Sequence, residues 1–161
     1  MRRNILKNST LILLLLLVAC ALPPRQDSPE VIRQQLQEQL IALPGAVISD
    51  DGLQVSYPDE SLFAAGAVLP LPGGMEVLDP LVDLLLQNSQ VRGVGTVRST
   101  GHSAEYDLLL ATRRVEFLLQ IFRNRGLAGD RLQLTPEVGP GVPLELQLQS
   151  IISDNSAGAK Q

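Results

Sequence analysis

A short polar segment carries the side chains that could perform nucleophilic chemistry. The single histidine of the chain, His102, lies close to Ser99, Ser103 and Glu105. A serine nucleophile needs a histidine base within hydrogen-bond reach and donors that stabilise an oxyanion. Serine and histidine neighbours in one loop rarely reach that geometry, and no oxyanion motif accompanies them here. The segment therefore argues against an enzyme.

The other residues that could bind a cofactor do not form a recognisable site. One histidine and one cysteine make a transition-metal site improbable, and the acidic residues do not follow the spacing of a calcium loop. Gly93-Val94-Gly95 comes before the end of an expected strand, whereas a phosphate-binding loop opens a helix. We expect neither a metal nor a nucleotide cofactor.

A different chemistry is expected at Cys20, the only cysteine. Basic residues at positions 2, 3 and 7 precede an apolar run from Leu11 to Ala19, which is the pattern of a secretory signal. The run is nine residues long, which is too short for a helix that crosses a hydrocarbon core of ~30 Å. The pattern predicts export and cleavage near Cys20.

The segment Leu17-Val18-Ala19-Cys20 resembles a bacterial lipobox. The resemblance implies that residues 1–19 are a lipoprotein signal peptide and that Cys20 becomes an acylated N-terminus, with palmitate among its acyl chains. Two or more acyl chains anchor a protein stably to a membrane. Because Ala21 rather than Asp follows, the family rule for lipoproteins implies the outer membrane, facing the periplasm. The alternative is an ordinary cleaved signal with an incidental cysteine.

Charge limits the partners of the exported chain. The leader contains three of the thirteen basic residues and none of the seventeen acidic ones, so residues 20–161 carry a net charge of −7. This balance argues against nucleic acid or an anionic membrane surface as the main partner.

The N-terminal part of the exported chain predicts a tether and a helix. Residues 20–28 contain two prolines and no apolar periodicity, which is typical of a linker. Ser28-Pro29 predicts a helix start, and residues 29–44 form an amphipathic helix with a narrow stripe of Ile32, Leu36 and Leu40. This stripe could pack on its own domain or on a partner helix.

Residues 46–150 predict one α+β domain, and the polar residues 151–161 follow it as a tail. The expected elements are a hairpin around Asp50-Asp51-Gly52, a helix from Met75 or Asp79 to Gln87, a strand over 91–100, a helix over 106–125 and strands at 132–134 and 144–148, with a loop from Pro136 to Pro143 between them. The order β-hairpin-α-β-α-β-β predicts a two-layer α/β sandwich with helices on one face of a mixed sheet.

Three details of this domain are also predicted. Pro80 requires a first-turn position in its helix. Gly93 and Gly95 indicate close approach of a helix to the sheet. One apolar face of the long helix consists of Leu108, Ala111, Val115, Leu118, Leu119 and Phe122, and Leu110, Phe117 and Ile121 widen it. The buried core is expected to include Phe63, Val97, Val115, Leu118 and Phe122.

Four stretches between Val47 and Leu148 together resemble the OmpA-like peptidoglycan-binding domain. They are Gly52–Val55 leading into Leu62-Phe63-Ala64-Ala65-Gly66-Ala67-Val68-Leu69, Leu78-Asp79-Pro80-Leu81-Val82, the strand Val91–Val97, and Tyr106-Asp107-Leu108-Leu109-Leu110-Ala111-Thr112-Arg113-Arg114-Val115. The resemblance implies the OmpA-like fold and a peptidoglycan ligand.

The resemblance also implies where the ligand binds. In the family, an Asp meets the ammonium group of a diaminopimelate side chain, and an Arg of the second helix meets its carboxylate. The Arg position is Arg114 here, the Asp position is Ser99, and Asp107 stands where the family has Asn. The alternatives are a solvated or capping role for Arg114 and a helix cap for Asp107.

Two functions remain open at this point. In one, the domain binds peptidoglycan, weakly because the carboxylate is missing at Ser99, and restoring it with Ser99→Asp should strengthen binding. In the other, the fold has lost this ligand and serves as a protein-interaction component of an envelope assembly, such as a secretion or pilus machine.

Overall fold

The computed structural model describes residues 29–58 and 62–151. The leader, Cys20, the tether over 20–28 and almost all of the polar tail lie outside the described residues. The chain divides into two compact units, Met1–Arg33 and Gln34–Gln161. The first is described only over residues 29–33, which are helical, and the second over residues 34–58 and 62–151.

Eight elements follow one another along the chain. They are α1 (Pro29–Ile41), β1 (Val47–Ile48), β2 (Gln54–Tyr57), α2 (Gly74–Gln87), β3 (Val91–Ser99), α3 (Ala104–Asn124), β4 (Leu132–Val138) and β5 (Leu144–Ser150). The strands form one sheet in the order β1-β2-β5-β3-β4. Strands β3 and β4 are parallel and the other pairs are antiparallel, so the predicted α+β fold with a mixed sheet is confirmed.

One face of the sheet is buried. Alternate residues of β2, β3 and β5 are buried, and the strand register places them on the same face. Helices α2 and α3 bury their apolar stripes in the same core, in which Phe63, Val97, Val115, Leu118 and Phe122 all lie as predicted. Leu36 and Leu40 of α1 also belong to this core, so these two residues of the stripe pack on their own domain.

Two prolines lie in places that the sequence analysis did not predict, one inside helix α2 and one inside strand β4. Helix α2 begins at Gly74, which places Pro80 in its second turn rather than its first. The buried side chains of Leu78, Leu81 and Leu85 hold the helix there despite the missing hydrogen bond. Strand β4 continues through Pro136 to Val138, because an edge strand tolerates a residue without an N–H.

The reason for the glycines in β3 also differs from the prediction. A Cβ atom at Gly95 would collide with the backbone carbonyl oxygen of Glu145 in β5, and one at Gly93 would lie 3.1 Å from Leu132 Cδ1 in β4. The nearest atoms therefore belong to neighbouring strands and not to a helix. The glycines allow close packing within the sheet.

The buried face of α3 is rotated from the predicted one at its first turn. Leu108 is 48% exposed, whereas Leu110 and Ala111 are buried as predicted. Asp107 and Arg114, which the prediction did not place on this face, are also buried. The sequence favoured Leu108 because charged residues are rarely buried without partners. Here the partners exist, and they form the site described next.

Candidate functional site

A pocket of about 180 Å³ lies at the end of strand β3. Its walls come from the loop after Phe63, the end of β3, helix α3 and the loop between β4 and β5; the lining residues are Ala65, Gly66, Arg98, Ser99, Thr100, Arg114, Gly139 and Gly141. Because β3 and β4 are parallel, their ends meet at one edge, where Gly139 N–H donates to Ser99 O at 3.1 Å. Sheet topology thus brings together segments that are forty residues apart.

Arg114 is the cation of this pocket, and it is only 3% exposed. Its Nε donates to Ala67 O at 2.8 Å, its Nη2 to Ala64 O at 3.1 Å and its Nη1 to Arg98 O at 3.3 Å. The guanidinium also lies 4.5 Å from the ring centroid of Phe63, a cation–π contact. These contacts fix the plane of the guanidinium, so it is neither a solvated surface group nor a helix cap.

Asp107 lies two turns before Arg114 on the same face of α3 and is 2% exposed. Its Oδ2 accepts the backbone N–H of His102 at 3.1 Å, and its Oδ1 lies 3.3 Å from His102 Nδ1. Ser103, and not Asp107, is the N-cap, because its side chain accepts the N–H of Tyr106. Asp107 therefore holds the loop before the helix.

Ser99 connects the strand end to this carboxylate. It is 5% exposed, and its Oγ donates to Asp107 Oδ1 at 3.4 Å. Ser99 also lines the pocket together with Arg114. The structure thus brings the three residues that the resemblance singled out to one corner of the domain, with a hydroxyl at the strand end and the carboxylate behind it.

Two residues of this corner were not predicted as parts of the site. His102 packs its ring against Tyr106, with centroids 4.7 Å apart, and reaches Asp107. Arg98 bonds Glu137 Oε2 at 3.0 Å and Glu145 Oε2 at 3.4 Å, and its stem lies beneath Gly141. The strand register sets Arg98 beside Glu137 and Glu145, whereas the partners of His102 come from the first turn of α3. Neither set of contacts follows from local sequence.

The geometry does not form a serine–histidine pair. The hydroxyl of Ser99 donates to Asp107, and no hydrogen bond between Ser99 or Ser103 and the His102 ring occurs among the described residues. Within the described ranges, no group of three or more histidine, cysteine or acidic side chains could hold a metal ion. No helix in the described part of the chain is long and apolar enough to span a bilayer.

Comparison with known proteins identifies the fold. No protein-family model and no curated protein sequence matches the chain. Among solved structures, a protein described as MotB-like from Desulfovibrio vulgaris is 24% identical, with a TM-score of 0.58 over 75% of this chain and 92% of that one. The cell wall anchor of the T6SS from Pseudomonas aeruginosa is 14% identical, with a TM-score of 0.55 over 73% of this chain and 99% of that one.

A third structure agrees with these two. The periplasmic domain of Helicobacter pylori MotB is 11% identical, with a TM-score of 0.56 over 73% of this chain and 86% of that one. At these identities the likeness shows a common fold, and the coverage shows that nearly the whole of each solved domain is represented here.

Proposed function

We propose that this chain is a periplasmic lipoprotein of the outer membrane whose domain binds peptidoglycan through the pocket at the end of β3. The observation that carries the proposal is Arg114, a buried guanidinium with fixed orientation that lines a pocket. An arginine fork binds a carboxylate through two charge-assisted hydrogen bonds. The peptidoglycan stem peptide supplies such carboxylates.

The comparisons support the cell envelope as the setting. The structures that share the fold include a T6SS cell wall anchor and a MotB periplasmic domain. The OmpA-like resemblance of Tyr106–Val115 supports the same ligand class, since Arg114 occupies the arginine position of the family motif. Lipid anchoring at Cys20 rests on the lipobox alone.

Cosedimentation with purified peptidoglycan sacculi tests the binding. We expect weak binding by the wild-type protein and its loss in Arg114→Ala, because the carboxylate partner is removed. Losing one charged hydrogen-bonded partner lowers affinity roughly ten- to hundredfold. Arg113→Ala is the matched control, because Arg113 is the exposed neighbour that pairs with Glu116 at 2.9 Å.

Folding must be checked in the same experiment, since Arg114 holds three carbonyls of the domain. Thermal unfolding of each variant serves this purpose, and Arg114→Lys, which keeps the charge but not the fork, is the second variant. If both Arg114→Ala and Arg114→Lys fold and bind sacculi as well as the wild-type protein does, the proposal is contradicted.

The second candidate function is an envelope interaction module without a peptidoglycan ligand. The exposed side chains of Tyr106, Leu108 and Leu109 on the first turns of α3 favour it, because they offer apolar surface beside the pocket. Absence of sacculus binding by the folded wild-type protein would select this function.

A further inference from the structure

We infer that the outer edge of strand β4 is a docking surface for a second copy of this chain. The two copies pair their β4 strands antiparallel about a twofold axis, and each Val138 enters an apolar groove of the other copy. The inference goes beyond the proposed function, because the surface is a sheet edge and its use requires no ligand in the pocket at the end of β3.

The first observation is the unpaired backbone of β4. Among the described strands β4 is the last of the sheet, with β3 on one side only. Gly93 N–H of β3 donates to Arg131 O at 2.9 Å, so the odd-numbered positions of β4 turn their backbone groups towards β3. The backbone groups of Leu132 and Leu134 therefore point away from the sheet, and Pro136 offers only its carbonyl there. An edge of this kind is a template for pairing with another strand.

The second observation is an apolar groove beside the start of this edge. The groove has a volume of about 130 Å³ and is lined chiefly by Leu119, Phe122, Leu127, Ala128 and Leu132. An apolar cavity of roughly 150 Å³ admits a benzene molecule. The groove is thus large enough for the side chain of one aliphatic residue.

Helix α3 turns this groove towards the outer edge. Arg125 of α3 pairs with Asp79 of α2, which fixes the side of α3 that faces the other helix. Arg123, two residues earlier and hence on nearly the opposite side of the helix, lines the groove. The groove therefore opens beside β4 and not between the two helices.

The third observation is an exposed apolar side chain at the other end of β4. Val138 is 45% exposed. Because side chains alternate along a strand, Val138 lies on the same face as Leu132 and Leu134, which belong to the core or pack on it. Glu137, in contrast, bonds Arg98 on the open face of the sheet. The same face of one strand thus carries an apolar groove at its start and an apolar projection at its end.

An antiparallel pair of identical strands brings these two features together twice. A twofold interface uses the same surface on both copies, so the surface must be complementary to itself. With Leu134 opposite the partner's Leu134, Val138 of each copy reaches position 130 of the other, between Ala128 and Leu132 of the groove. In this register Leu132 N–H donates to the partner's Pro136 O, and only the bond from position 136 is missing in each half. The chain itself therefore supplies the side chain that fits the groove.

Sedimentation equilibrium of the full chain in a density-matched detergent measures this self-association. We expect a wild-type dimer, and Val138→Asp should weaken dimerisation roughly a hundredfold or more, because an unpaired charge would enter an apolar groove twice per dimer. Val47→Asp is the matched control: Val47 is 59% exposed on β1, at the opposite edge of the described sheet, and this variant should dimerise like the wild type. Pro136→Thr, which supplies the missing N–H, should tighten dimerisation roughly tenfold.

Hydrogen exchange of single amides provides a second readout. The outward N–H groups of Leu132 and Leu134 should be protected in the wild-type protein and exchange faster in Val138→Asp. The N–H groups of Gln133 and Thr135 face β3 and should remain protected in both proteins, which shows that the variant is folded.

Three results would each overturn the inference. One is a monomeric wild-type protein, whether or not another protein binds this edge. Another is equal weakening of the dimer by Val138→Asp and Val47→Asp. The third is a wild-type dimer in which the amides of Leu132 and Leu134 exchange as fast as in Val138→Asp. None of these results bears on sacculus binding through Arg114, which is measured separately.

Discussion

At the residue scale, the buried polar side chains of this domain differ in whether they have partners. Ser99, Asp107 and Arg114 are each held by hydrogen bonds, which offset the cost of removing them from water. The hydroxyl of Tyr57 is buried and finds no hydrogen-bond partner among the described residues. The hydrogen bonds of Ser99, Asp107 and Arg114 fix the geometry of the pocket. The Tyr57 hydroxyl adds no hydrogen bond of this kind to the stability of the fold.

Tyr57→Phe should therefore leave stability at pH 7 nearly unchanged. Burial raises the pKa of the Tyr57 phenol above its ordinary value, so the anion forms preferentially in the unfolded chain. Wild-type stability should fall as the pH rises above about 10, by up to about 1.4 kcal/mol per pH unit from this group, and the variant should escape that loss. Urea unfolding at pH 7 and pH 11 measures the difference.

Tyr106→Phe is the control for this prediction, because Tyr106 is exposed. Its stability should follow the wild-type pH profile. Parallel profiles for wild type and Tyr57→Phe would show that the Tyr57 phenol is not buried in the folded protein.

At the scale of elements, helix α3 performs two tasks along one buried face. Its first three turns bury Asp107 and Arg114 at the pocket, and its later turns bury Val115, Leu118 and Phe122 in the core. The apolar half supplies the packing that holds the polar half in place. The position of the site thus depends on core packing one to two turns away.

Phe122→Ala should destabilise the domain by about 3–5 kcal/mol, the usual cost of truncating a fully buried phenylalanine. Leu108→Ala on the same helix should be nearly neutral, since Leu108 is half exposed. Chemical unfolding of both variants measures this contrast. Equal losses of unfolding free energy in the two variants would mean that α3 turns a different face to the core.

The elements of the fold were largely predictable, because their apolar periodicity follows burial on one face. The hairpin around Asp50–Gly52, strand β3 and the long helix all come from such local patterns. The burial of Asp107 and the exposure of Leu108 were not predictable, because they depend on the N–H of His102 and the hydroxyl of Ser99, which only the tertiary fold supplies. The environment of Gly95 likewise depends on the backbone of β5.

At the scale of the whole molecule, the proposed function links a membrane anchor to a wall-binding domain. The chain outside the leader is acidic, with a net charge of −7, so attachment to an anionic membrane surface requires something other than charge. Acyl chains at Cys20 would supply it.

Mass spectrometry of the protein extracted from membranes should show acyl groups on an N-terminal Cys20. Cys20→Ser should remain unprocessed and unacylated, because the thiol that accepts the lipid is gone. A wild-type protein with a free Cys20 thiol, or a Cys20→Ser variant that is processed and membrane-bound like the wild type, would exclude lipid anchoring at this residue.

The central claim is that the pocket at the end of β3 is where peptidoglycan binds, and a chemical-shift map tests it most directly. Isotope-labelled protein is titrated with the stem tripeptide L-alanyl-γ-D-glutamyl-meso-diaminopimelate, and the backbone amide signals are followed by NMR. If the ligand binds in this pocket, the largest chemical-shift changes should occur at Ser99, Thr100, Gly139 and Gly141. These changes should disappear in Arg114→Lys. Shifts that concentrate elsewhere, for example around Phe122 and Leu127, or that persist in folded Arg114→Lys, would contradict the claim.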